Sequence, residues 1–307
     1  MYEKILVPLD GSELAEVALP YAEELAARLG SEIRLTTVLT ADGELAEGQY
    51  YHLHQFYIQQ MSEATKRRAE RYVEKPEGKE IKVKSAILIG HPAEKIVDFA
   101  DKEDIGLIVM ATHGRSGIKR WALGSVADKL LRATTRPVAL IRAKGARPDL
   151  REKAILNMAL VPLDGSKESE AVIPYIEKLA SKLNTEVFLF HVVARVYHVY
   201  AAGEASAQIP YTDEEMESLK ASAQDYVKKV AGELKDRGIT AASDVRVGAA
   251  AEEIIRFAEE ISADVVAMST HGQSGIGRWV FGSIADKVLH GGNTPLLLVR
   301  TPGVSRD

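Results

Sequence analysis

The chain has 307 residues, 46% of them hydrophobic and 27% charged, with no cysteine and a formal net charge of −5. That length accommodates two ordinary domains, and the balance is that of a soluble globular protein. Disulfides, thiolate catalysis and cysteine-ligated metals are excluded, and the acidic balance argues against a general nucleic-acid partner, which would show a basic footprint.

The opening "MYEKILVPLDGS" is a strand pattern rather than a targeting leader, and no apolar run approaches the ~20 residues of a membrane span. No membrane partner is expected, and the expected compartment is the cytoplasm. Lys4 to Asp10 reads as a short buried strand, and "ELAEVALPYAEELAARLG" as one helix ending near Gly30. Glu32 to Leu39 is a second strand. "TADGELAEGQYYHLHQ" reads as loop, with His52 and His54 solvated, and a helix occupies roughly Tyr57 to Lys75. Ile81 to Leu88 alternates as a strand, "PAEKIVDFADKE" is a helix opened by a proline, and Ile105 to Thr112 is a fully apolar strand. "SVADKLLRAT" is a helix and Arg136 to Ala143 the last strand of this half. Alternation of this kind predicts a parallel sheet with helices on both faces.

The pattern then repeats. "LVPLDGSELAEVALPYAEELAARL" (Leu6 to Leu29) returns as "LVPLDGSKESEAVIPYIEKLASKL" (Leu160 to Leu183), an offset of 154. Gly90 to Arg142 aligns without gaps on Gly248 to Arg300 at an offset of 158, with 24 of 53 pairs identical by direct count, too many for chance. The second copy therefore carries a net four-residue insertion, in a region where "AAGEASAQIPYTDEE" also reads as loop. The charged stretch "AKGARPDLREKA" separates the copies. Two domains are expected, 1–146 and 152–307, each an open parallel five-stranded α/β sheet.

Ligands of such sheets bind outside the carboxyl ends of the strands, near the reversal of strand order. Two loops there carry unusual residues in both copies. "ATHGRSGIKRWALGS" supplies small and hydroxyl residues that let backbone N–H groups approach an anion, and Gly124 and Ser125 then open a helix whose unpaired N–H groups favour phosphate. Ser125 with Asp128, and Ser283 with Asp286, also match a capping box; a cap alone would not require the Gly-rich loop before it. Asp10 and Asp164, ending the first strands, suit either acceptance from a ribose hydroxyl or an N-cap role. One histidine per loop, His113 and His271, makes no metal site. The pattern G-x-x-x-x-G-K-[ST] fails, because Arg278 and Trp279 follow Gly277, and G-x-G-x-x-G is missing after the first strand. Trp121 and Trp279 read as packing or interface residues. No base for water and no acidic pair for Mg²⁺ stands beside these loops, so any hydrolysis of a bound phosphate ligand should be slow.

"ILVPLDGS", "VMATHGRSG" and "GSVADKLLRATTRPVALIR", with their second-copy partners, resemble universal stress protein domains, and the chain resembles a tandem of two from the ATP-binding branch. The branch's loop signature, G-x-x-G-x9-G-[ST], is matched by Gly114, Gly124 and Ser125 and by Gly272, Gly282 and Ser283; Ala111 and Ser269 replace the first glycine. The resemblance implies ATP, AMP or ADP as ligand, with Mg²⁺ left open. It places Pro8, Asp10, Val38, Ala111, Thr112, His113, Gly114, Arg115, Gly117, Gly124, Ser125 and Val126 at the nucleotide in the first copy. In the second it places Pro162, Asp164, Val192, Ser269, Thr270, His271, Gly272, Gln273, Gly275, Gly282, Ser283 and Ile284 there. The first loop carries Arg115, Lys119 and Arg120 where the second keeps only Arg278, so the first should hold a triphosphate more tightly. The resemblance also implies antiparallel pairing of the two last strands within one chain, and homodimers of the chain. It implies a stress-response regulator rather than a vigorous enzyme; the other reading is a structural or chaperone-like interaction module with vestigial nucleotide loops.

Overall fold

The computed structural model describes residues 1–40, 47–72, 81–113, 123–142, 156–194, 197–202, 205–270 and 282–300. Among these, one compact unit comprises the residues of Met1–Leu156 with those from Asn293 onward; a second comprises those of Asn157–Gly277 and Phe281–Gly292.

The first unit runs β1 (Lys4–Pro8), α1 (Glu13–Glu16), α2 (Leu19–Leu29), β2 (Glu32–Leu39), α3 (Glu47–Ala69) with a 3₁₀ turn at Glu70–Tyr72, β3 (Val83–Ile89), α4 (Pro92–Lys102), β4 (Leu107–Ala111), α5 (Ser125–Ala133) and β5 (Val138–Ile141). Five strands pair in parallel in the order β5-β4-β1-β2-β3. All five residues of β4 are buried, as a strand covered on both faces requires.

The second unit runs β6 (Met158–Pro162), α6 (Lys167–Glu170), α7 (Ile173–Leu183), β7 (Glu186–Val193), β8 (Tyr197–Ala202), β9 (Ala205–Pro210), α8 (Asp213–Asp236), β10 (Ala241–Val247), α9 (Ala250–Glu260), β11 (Val265–Ser269) and α10 (Ser283–Gly291). Its parallel order is β10-β7-β6-β11. Phe190 stacks on Phe257 of α9 with ring centroids 4.5 Å apart, while its neighbour His191 meets Tyr226 of α8 edge-on at 6.2 Å. Successive strand residues face opposite ways, so α8 and α9 cover opposite faces of this sheet.

The α/β class stands, but the strand count differs from two sheets of five. The chain's last strand, β12 (Leu296–Val299), lies in the first unit and pairs antiparallel with β5, Leu296 opposite Leu140 and Leu298 opposite Val138. It is fully buried there, whereas β5 would otherwise present an open apolar edge. The helix expected over 13–30 is two helices. Pro20 sits in the first turn of α2 and Pro174 in that of α7, where the missing N–H is harmless; within a continuous helix it would remove a bond and clash. α3 begins ten residues before the expected start, and the expected second-copy loop holds the antiparallel hairpin β8–β9. His52 is exposed as expected, but His54 is half-buried, its Nδ1 3.5 Å from Thr37 Oγ1. Among the described residues no helix is long and apolar enough to cross a membrane.

Candidate functional site

In the first unit the strand order reverses between β1 and β4, and in the second between β6 and β11. The carboxyl ends of these strands and the helices that follow carry the expected residues. Pro8 ends β1, Val38 lies at the end of β2, and Ala111 ends β4. Pro162, Val192 and Ser269 hold the same places on β6, β7 and β11.

The turn after the first strand is built alike in both units. Asp10 Oδ1 accepts from the Ser12 backbone N–H at 3.0 Å and from Ser12 Oγ at 2.6 Å. Asp164 Oδ1 accepts from the Ser166 N–H at 3.0 Å and from Ser166 Oγ at 2.5 Å. Between them Gly11 and Gly165 take φ of 81° and 83°, a left-handed conformation costly for other residues. The helix N-caps are Ser12 and Ser166, not the aspartates, so the carboxylates serve to shape the turn. For these helices only the aspartates were candidate caps in the sequence; the serine two residues on, itself a preferred N-cap residue, was the overlooked signal.

The start of α5 is anchored to the end of β4. Gly124 N–H donates to the Thr112 carbonyl at 2.8 Å, and Gly282 N–H donates to Thr270 at 2.8 Å. A Cβ on Gly124 would stand 3.0 Å from that carbonyl oxygen, so the close approach favours glycine. Gly124 and Gly282 are themselves the N-caps, and neither helix start has a side-chain cap. The capping-box alternative is thereby overturned: Asp128 pairs with Arg132 at 2.9 Å and Asp286 lies 3.5 Å from His290. Ser125 and Ser283 are exposed in the first turns, beside Val126 and Ile284. The first-turn N–H groups, with the positive end of the helix dipole, suit an anion. Thr112 is buried, and its Oγ1 lies 3.0 Å from His113 Nδ1; His113 Nε2 is buried without a partner among the described residues.

In the second unit these residues enclose a cavity of about 520 Å³, within the ~300–1,000 Å³ of small-molecule sites. Pro162, Asp164, Val192, Ser269, Thr270, Gly282, Ser283 and Ile284 all line it. Every expected second-copy residue that is described is thus in its wall. His271, Gly272, Gln273, Gly275, Arg278 and Trp279 lie outside the described residues, as do Gly114, Arg115, Gly117, Lys119, Arg120 and Trp121 of the first copy. The wall also holds residues that the sequence pattern did not single out: Ser169 of α6, Phe190 and His191 of β7, Leu219 of α8, Ile254 of α9 and Met268 of β11. Phe190, Met268 and Ile254 were marked only by the apolar periodicity shared by any core.

Burial favours the neutral form of His191. Burial lowers its pKa below the ordinary histidine value, against the opposing pull of the Asp164 carboxylate and the Leu163 backbone, and its Nδ1 is buried without a partner among the described residues. The Tyr226 phenol is pushed above the ordinary tyrosine range, by burial first and by the neighbouring Glu170 carboxylate next. The lining thus combines a helix start, with its N–H groups, an aspartate and apolar side chains. That combination suits a flat ring bearing hydroxyl and anionic groups. Among the described residues no group of three or more His, Cys, Asp or Glu side chains is placed to hold a metal ion.

Comparison with known proteins agrees with this architecture. The model described as the universal stress protein family matches residues 1–142 and again 158–300. Universal stress protein MJ0577 of Methanocaldococcus jannaschii is 29% identical over 160 residues, 48% of this chain and 98% of its own length. Universal stress protein Mb2028c of Mycobacterium bovis is 25% identical over 224 residues, 72% of this chain and 70% of its own length. The crystal structure of a universal stress protein from Archaeoglobus fulgidus superposes with a TM-score of 0.70 at 18% identity, covering 98% of this chain and 99% of that one.

Proposed function

Because the chain belongs to the universal stress protein family, we propose that it is a stress-response protein that binds adenine nucleotide, ATP, AMP or ADP, in two domains, 1–146 and 152–307. The observation that carries this reading is the cavity of the second unit: eight residues singled out for a nucleotide line it, at the carboxyl ends of parallel strands and against an uncapped helix start. In this reading Asp164 and Asp10 face the ribose or adenine, Val192 and Val38 the adenine, and the α10 and α5 starts the phosphates. By sequence the first loop, with Arg115, Lys119 and Arg120, is more cationic than the second, which favours tighter triphosphate binding in the first domain. Mg²⁺ would accompany the phosphates rather than occupy a protein-built metal site. The protein acts as a regulator, with slow ATP hydrolysis at most, in the cytoplasm.

We further propose that the last strands of the two domains pair antiparallel and that two chains form a homodimer. The register of β12 on β5 supports the strand pairing. The second reading, an interaction module, draws on Leu53 and Phe56 of α3, each 65% exposed. Mass spectrometry of small molecules extracted from the purified chain separates the two readings. Adenine nucleotide at a substantial fraction of the protein concentration is the expected result; an extract without it, from protein whose cavity is also indifferent to added nucleotide, supports the interaction module.

A further inference from the structure

Two tyrosines outside the aligned blocks make the same bond in both units. The Tyr226 hydroxyl on α8 donates to Glu170 Oε1 on α6 at 2.8 Å, and the Tyr57 hydroxyl on α3 donates to Glu16 Oε1 on α1 at 3.0 Å. Glu16 and Glu170 correspond at the 154-residue offset of the first block. Their partners do not: Tyr57 lies 41 residues beyond its glutamate and Tyr226 lies 56 beyond, with the β8–β9 hairpin intervening in the second copy. The long helix enters at a different register and the contact is re-created, which a chance surface bond would not require.

Each end of this bond leads to the candidate site. α6 is a single turn whose far end is the Asp164 turn. Ser166 Oγ donates to Asp164 and accepts from the Ser169 N–H at 3.1 Å; Ser169 Oγ donates to the Ser166 carbonyl at 2.8 Å, and the Asp164 N–H donates to Ser169 Oγ at 3.3 Å. Glu170 is the next residue. In the first unit Ser12 Oγ likewise donates to Asp10 and accepts from the Ala15 N–H at 3.2 Å, immediately before Glu16. At the other end, Leu219 lies two helical turns before Tyr226 on the same face of α8, and it is part of the cavity wall. The tyrosine hydroxyl thus fastens a helix that walls the cavity to the turn that presents its carboxylate.

We propose that Tyr226–Glu170 is a latch that positions Asp164 and Leu219 for the ligand of the second unit's cavity, and that Tyr57–Glu16 does the same for Asp10 in the first unit. The ligand's identity rests on the nucleotide reading above; the latch itself does not. Both tyrosines are positioning residues, acting through the glutamate and the short helix. Burial first and the neighbouring Glu170 carboxylate next hold the Tyr226 phenol in its protonated, hydrogen-bond-donating form at neutral pH.

The test uses the full chain and the variants Tyr226→Phe, Glu170→Ala and Glu170→Gln, the last retaining an acceptor oxygen. Hydrogen–deuterium exchange is followed at the amides of residues 164–170 without ligand, and AMP and ATP are titrated calorimetrically. Tyr226→Phe and Glu170→Ala should exchange faster across 164–170 and weaken nucleotide binding at one site about 3- to 10-fold, the scale of one lost hydrogen bond. Glu170→Gln should restore both readouts to within about twofold of the parent chain. Tyr57→Phe should repeat the effect at 10–16. Unchanged exchange in Tyr226→Phe overturns the latch, as does faster exchange with unchanged affinity, or a Gln variant as impaired as the Ala variant. If the parent chain binds neither nucleotide, the nucleotide reading fails, and the exchange result still decides whether the latch holds the turn.

Discussion

His191 stands one residue before Val192 on β7 and lines the same cavity, yet only the valine was legible in the sequence. Val192 has a counterpart, Val38, whereas His191 corresponds to Thr37, so duplication gave it no emphasis. In the first unit an imidazole approaches that threonine from α3 instead, through His54. The pKa of His191 is lowered by burial, which fixes the sign of a pH effect. The unfolded chain takes up the proton at the ordinary histidine value, ~6.5, while the folded chain takes it up only at lower pH. The stability that His191 contributes is therefore complete above the ordinary value and is lost as pH falls through the window down to the folded-state value. His191→Gln, which does not titrate, should show a shallower fall in melting temperature between about pH 7 and pH 5 than the parent chain. Parallel curves would contradict the assignment.

Among the elements, the parallel strands of the first unit were legible to within about two residues at each end, because a buried parallel strand is a short apolar run and little else resembles it. The helices were less so. Pro20 interrupts a continuous amphipathic pattern, and the periodicity does not reveal that the chain breaks there. The hairpin was obscured because Ala and Ser, weak strand formers, dominate "AAGEASA". α3 lacked a strong apolar stripe, and part of what holds it is ionic. Arg68 donates to Glu23 of α2 at 2.8 Å, and the Glu23 carboxyl is 1% exposed. Burial raises the Glu23 pKa, with Arg68 opposing that rise. Arg68→Met removes the main opposing charge and leaves the buried carboxylate with only Thr65 and the charge of Arg71 to offset its burial. A loss of about 2–4 kcal/mol near neutral pH is expected from urea unfolding, since one partner of a buried pair is removed. The loss should shrink on acidification, because a carboxyl with a raised folded-state pKa stabilises the fold only when protonated. An equal loss at pH 7 and pH 4.5 would show that Glu23 is not the cause.

At the scale of the molecule, duplication made the two copies, the class of fold and the strand ends that carry the candidate site legible from the residues alone. Duplication alone does not specify where the last strand goes, since pairing of β12 is a choice among apolar edges; only the family resemblance implied its antiparallel partner. Ending the chain at Gly292 removes β12 and leaves the β5 edge open; light scattering should then show self-association beyond that of the parent chain. An unchanged mass would mean that this edge is protected otherwise. The central claim, that the cavity of the second unit takes an adenine nucleotide, is tested most directly by calorimetric titration of nucleotide-free chain with ATP, alongside Asp164→Ala. Saturable binding in the parent chain, weakened by Asp164→Ala, is the predicted result; no heat at millimolar ATP from folded, ligand-free protein would contradict it.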